Sequence, residues 1–159
     1  MNSIDTVLCF FKTIIPAFII MTSCVVPARA GGEQVRFPQS YEEGVLYTTV
    51  HRGNIKEDIY TDRAAIEAVK AGRPIPGGTV ITLVDYRDGE LFRYVVMEKR
   101  SGWGSEYPAD IRNGEWEYQA FNADRTVNTE ENLERCFSCH KSQAGNDFIF
   151  TLDDMKTFE

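Results

Sequence analysis

Through the middle of the chain, apolar and polar positions alternate with the period of strands, and helical patterning flanks them. Residues 45–51 (VLYTTVH) are rich in β-branched and aromatic side chains and predict a strand. Thr61-Asp62 supplies N-cap oxygens to a helix continued by Ala64, Ala65, Ile66, Ala68 and Val69, and Gly72 with Pro74 stops it. Gly77-Gly78 opens a strand over residues 79–86, Asp88-Gly89 is a hairpin turn, and residues 91–98 (LFRYVVME) form the return strand, placed centrally by its apolar end. Trp116, Tyr118 and Ala120 alternate with Glu115, Glu117 and Gln119, predicting a half-exposed strand whose two glutamates are solvated edge charges. Asn128-Thr129-Glu130-Glu131 then caps a short helix that delivers Cys136, and loop follows. The fold class is α+β: a mainly antiparallel β-sheet with a few short helices.

The N-terminal pattern is different. Lys12 precedes an apolar run over residues 13–27 that ends in Ala28-Arg29-Ala30, so residues 1–30 read as a secretory signal peptide and residues 31–159 as one mature domain. The run falls short of the roughly 20 residues of a comfortable membrane span. An uncleaved anchor and a lipid-attachment box at Met21-Thr22-Ser23-Cys24 rank below cleavage, and Met21 fits such a box poorly. The expected location is the periplasm. Lys12, Arg29 and Asp5 leave with the signal, taking the net charge from −7 to −8. That acidity argues against nucleic acid and suits a basic redox partner protein.

Of the 4 cysteines, Cys9 and Cys24 also leave. Cys136 and Cys139 remain, in Cys136-Phe137-Ser138-Cys139-His140, and no disulfide framework accounts for them. The run is C-x-x-C-H, the attachment pattern of c-type haem. Cysteines at i and i+3 share one face of a helical turn, so both thiols reach the two vinyl groups of one haem edge. The adjacent histidine, His140, then puts an imidazole nitrogen on the iron. A thioredoxin-like dithiol would need a βαβ context, and a zinc site four ligands. Met97 and His51 are candidate sixth ligands, although a strand methionine is usually core and a strand-end histidine usually surface; Met155 reads as packing. Arg93 could face a haem propionate or a distal ligand, or else solvent.

Only 19 residues follow His140, too few for the common small cytochromes c with their downstream methionine, and the strands exclude a four-helix bundle. Three further segments, 37–41 (FPQSY), 78–81 (GTVI) and 146–151 (NDFIFT), together with the motif, resemble the cytochrome P460 family over most of the mature chain. The resemblance implies a β-sheet domain, often homodimeric, around one covalent haem c, with His140 proximal to the iron and small nitrogen ligands on the distal side. Family members that oxidise hydroxylamine carry a haem-linked lysine a few residues after the G-T-V-I start. Leu83 stands there, so no cross-link is expected, and Leu83 and Arg93 are the distal-pocket candidates. The function implied is an exported mono-haem cytochrome that binds nitric oxide or a related small nitrogen ligand at an open iron site. The alternatives are a haem oxidoreductase acting on hydroxylamine or a related nitrogen compound, and a simple periplasmic electron carrier.

Overall fold

The computed structural model describes residues 34–159. The signal peptide, its cleavage site, Cys9 and Cys24 lie outside the described residues. Five strands form one antiparallel sheet in simple sequence order: β1 (Val45–Arg52), β2 (Ile55–Thr61), β3 (Val80–Arg87), β4 (Glu90–Lys99) and β5 (Trp116–Asn122). The helices are α1 (Arg63–Lys70), α2 (Glu134–Lys141) and α3 (Leu152–Thr157).

Local chemistry accounts for most of these elements. Asp62 Oδ1 accepts the Ala65 N–H at 2.6 Å and starts α1, which buries Ala65, Ile66, Ala68 and Val69. Asp88 (φ 52°) and Gly89 (φ 86°) form the two-residue turn between Arg87 and Glu90, the left-handed pair that matches the twist of a hairpin.

The register writes out the face that matters. One cross-sheet row runs Thr61, Ile81, Met97, Tyr118, and the next runs Ile59, Leu83, Val95, Ala120. Beyond these apolar rows lies a charged one: Glu57, Asp85, Arg93, Asn122. α1, α2 and α3 cover this face, and Ile66, Val69, Phe137, Ile149 and Met155 pack into it. The opposite face carries Val84, Tyr94, Val96 and Phe121 beneath Val35, Phe37 and Tyr41.

Several expectations change. β2 was not foreseen: its sequence, IKEDIYT, puts three charged residues in a row, yet Glu57 and Asp58 are both buried and paired, with Arg52 and Lys56. β5 is not half-exposed, because every residue from Trp116 to Phe121 is buried, with cover on both faces. Glu115 and Glu117 are therefore not solvated edge charges. Glu117 is 0 % exposed and accepts the Tyr107 hydroxyl at 2.8 Å, and the Glu115 carboxylate accepts the Gly104 N–H at 3.2 Å. The last expected helix starts later than Asn128. Asn128 caps a turn at Glu130, and the Asn132 carboxamide oxygen takes the Glu134 N–H at 3.0 Å to open α2. The segment after α2 is not all loop, since it contains a short helical turn at Ala144–Asn146 and then α3.

Candidate haem site

All three functional residues of the C-x-x-C-H run lie on α2, and Phe137 between them fixes its seat. Phe137 is 2 % exposed, with its ring 4.8 Å from that of Tyr118 and 5.1 Å from that of Tyr107. Its carbonyl accepts the Asn113 side-chain N–H at 2.9 Å. At the far end of α2, Lys141 donates to the carbonyls of Ala109 and Arg112, both at 2.8 Å. With Phe137 pointing inward, Cys136 is half-buried, Cys139 is exposed, and both are free thiols. Burial pushes the Cys136 thiol up to about 11; Glu131 adds to the rise and Arg93 opposes it. A thiol held protonated at neutral pH is the reverse of the lowered thiolate of a dithiol oxidoreductase.

His140 borders a cavity of about 310 Å³. Its floor is the two apolar rows, here Ile59, Ile81, Leu83, Val95 and Met97, and its far side is the chain from Ile149 to Thr151. Arg52 and Glu57, paired at 2.6 Å, are the only oppositely charged partners in its lining. The His140 ring lies 4.9 Å from Tyr118 and 5.1 Å from Phe150. Its Nδ1 sits 2.6 Å from the Phe148 carbonyl oxygen. A carbonyl only accepts, so Nδ1 carries the proton and the neutral ring keeps its lone pair on Nε2. Burial lowers the His140 pKa, against a smaller opposing effect of the Phe148 carbonyl, which favours the neutral, ligating form.

The other candidates separate cleanly. Leu83 lies in the cavity wall, as does Met97. Arg93 sits one row further along, bound by Asp85 at 3.1 Å and by Glu131, so it ties β4 to the segment leading into α2. His51 is exposed and alternates with Val50 and Arg52, which line the cavity, so it points to the other side of the sheet. Met155 is wholly buried in the core. Sequence reasoning missed Arg52, Glu57 and the Phe148 carbonyl. The first two hid in the unforeseen hairpin of β1 and β2. The third is a backbone atom, and no residue type announces it.

These residues fit a haem. Two unpaired thiols and an imidazole share one helix, the imidazole has its outer nitrogen committed, and the space beside it is apolar. The family model for cytochrome P460 matches residues 38–151. No curated protein sequence matches the chain. The chain belongs to the cytochrome P460 family. It is a haem c cytochrome of that family, with iron as part of its cofactor.

Proposed function

We propose that Cys136 and Cys139 carry one haem, each S–H adding across one vinyl group, and that His140 Nε2 is the proximal ligand of its iron. A haem held by these residues would supply an iron able to bind a small ligand. The apolar rows of the sheet provide the pocket for that ligand, and they favour a neutral diatomic such as nitric oxide over water. The observation that carries this reading is the cavity itself: Leu83 stands in a wall of aliphatic side chains. The nearby lysines are occupied elsewhere. Lys99 pairs with Asp147 at 2.5 Å, and Lys70 donates to the Phe158 carbonyl at 2.9 Å. With no amine among the described residues of the lining, the macrocycle keeps the ordinary c-type chromophore, and a hydroxylamine oxidase of the cross-linked kind is disfavoured.

A second reading draws on Glu57, a carboxylate in the same lining that could accept a proton from hydroxylamine or a related nitrogen compound. A third, electron transfer, would use Met97 as sixth ligand. The chain is exported to the periplasm and cleaved behind Ala30. The domain acts there as a homodimer, with a basic redox partner protein.

Absorption spectra of the ferric and ferrous protein, with and without nitric oxide, decide among the three. An open site gives a high-spin ferrous spectrum that nitric oxide converts. A low-spin spectrum unmoved by nitric oxide would establish the electron carrier, and turnover of hydroxylamine would establish the oxidoreductase. Intact mass should equal the chain from Gly31 plus one haem, and Cys136→Ala with Cys139→Ala should release haem on denaturation.

A further inference from the structure

We infer that Asp147 is a positioning residue: it holds the Phe148 carbonyl against His140 Nδ1 and so sets how strongly His140 donates to the iron. The inference rests on His140 being the proximal ligand.

Asp147 (φ 50°) and Phe148 (φ 62°) are adjacent non-glycine residues in the left-handed region. Side chains with a Cβ adopt that conformation at a cost, and two in succession persist only where the surroundings impose it. Here they do so from three directions. The Asp147 carboxylate docks on a cross-strand pair, Lys99 at the end of β4 and Trp116 at the start of β5. Oδ2 accepts from Lys99 Nζ at 2.5 Å and Oδ1 from Trp116 Nε1 at 3.4 Å. The Phe148 N–H donates to the Gln143 carbonyl at 2.8 Å. The Phe148 ring lies over Gly114, where a Cβ would come within 3.0 Å of Cε2. The product of all this is one aimed atom, the Phe148 oxygen, 2.6 Å from His140 Nδ1.

A hydrogen bond at Nδ1 raises the basicity of the ligating nitrogen and fixes the ring's orientation. Released from its carboxylate clamp, the turn can relax to right-handed backbone and swing the carbonyl away. His140 then becomes a weaker donor, and the ferric iron loses stabilisation relative to the ferrous.

The test uses the haem-loaded protein as wild type, Asp147→Gly and Lys99→Met. Glycine removes the clamp and also the cost of the left-handed backbone, so a purely conformational role for Asp147 predicts equal or higher thermal stability with an unchanged iron. Lys99→Met leaves Asp147 in place and reads the clamp even should the glycine variant fail to fold. The expected result in both is an iron–histidine stretching band moved to lower wavenumber in the ferrous Raman spectrum. With it goes a shift of the ferric–ferrous equilibrium toward ferrous of about tenfold, or about 59 mV for one electron. Asp147→Asn, which tolerates the left-handed backbone and keeps an acceptor for Trp116, should fall between. A folded Lys99→Met protein with band and potential unmoved overturns the inference. If His140→Gly leaves the wild-type spectrum intact, the ligand assignment itself has failed, and this inference falls with it.

Discussion

The two faces of the sheet obey the same alternation and end in different states. On the face away from His140, Phe37 inserts edge-on between Tyr94 and Phe121, with ring centroids 4.9 and 5.3 Å away, and Tyr41 stacks edge-on to Tyr60 at 5.2 Å. Val84 and Val96 beneath them are 1 % and 0 % exposed. A groove of about 420 Å³ skirts this face between Tyr41 and Thr82, but it holds neither imidazole nor thiol. On the other face the side chains of the floor are aliphatic and stop short of the roof, leaving the cavity beside His140. Aromatic edges fill space by offset contact, whereas a row of Leu, Ile and Val under a histidine leaves room for something flat and apolar. The difference separates a face that only stabilises from one that is also a receptacle.

Three substitutions probe that difference in protein prepared without haem, measured by urea unfolding. The largest effect is expected on the filled face, where Phe121→Ala should cost about 3–5 kcal/mol because a rigid aromatic stack cannot collapse into the space left. Leu83→Ala, on β3 and in the wall of an existing cavity, should cost less than about 2 kcal/mol. Equal losses at the two sites would mean that the cavity face is as tightly packed as the other. The smallest effect concerns Tyr47, on the cavity side, whose hydroxyl pairs with Thr151 at 2.6 Å. Burial raises its pKa, with the Thr151 hydroxyl opposing. The folded state therefore holds the phenol neutral beyond the pH at which the unfolded chain ionises. Stability from this group is intact below about pH 10 and falls above it by up to about 1.4 kcal/mol per pH unit. Tyr47→Phe should flatten that alkaline slope by one proton, and an unaltered slope would place the titration elsewhere.

Much of this was legible from the chain alone, for reasons that differ by residue. Asp88-Gly89 encodes a turn because few other pairs accept two left-handed positions, and Asp62 encodes a helix start because its oxygen meets an otherwise unpaired N–H. The C-x-x-C-H run is legible because its chemistry demands three residue types at one spacing. β2 was not legible, since Lys56-Glu57-Asp58 resembles a solvated loop until Arg52 and Lys56 neutralise the two acids. Nor was the burial of Glu117, which depends on the loop before β5 folding back to bring the Tyr107 hydroxyl to it. The left-handed pair at Asp147 and Phe148 lay beyond reach for a related reason. Phe148 does not favour that backbone, and it holds through contacts from Lys99, Trp116, Gln143 and Gly114 that the local sequence does not announce.

The simple strand order carries a consequence for how the molecule assembles. Every pairing in the sheet joins strands adjacent in sequence: tight turns close β1–β2 and β3–β4, whereas the β2–β3 connection runs through α1 and the β4–β5 connection is a long loop. The floor of the cavity comes from β2, β3 and β4, all earlier in the chain than the helix that carries His140. α2, the Asp147 turn and α3 follow the sheet in sequence and lie across this face as a latch. In that position Cys136 is half-buried, Cys139 stays exposed, and His140 Nδ1 meets the Phe148 carbonyl.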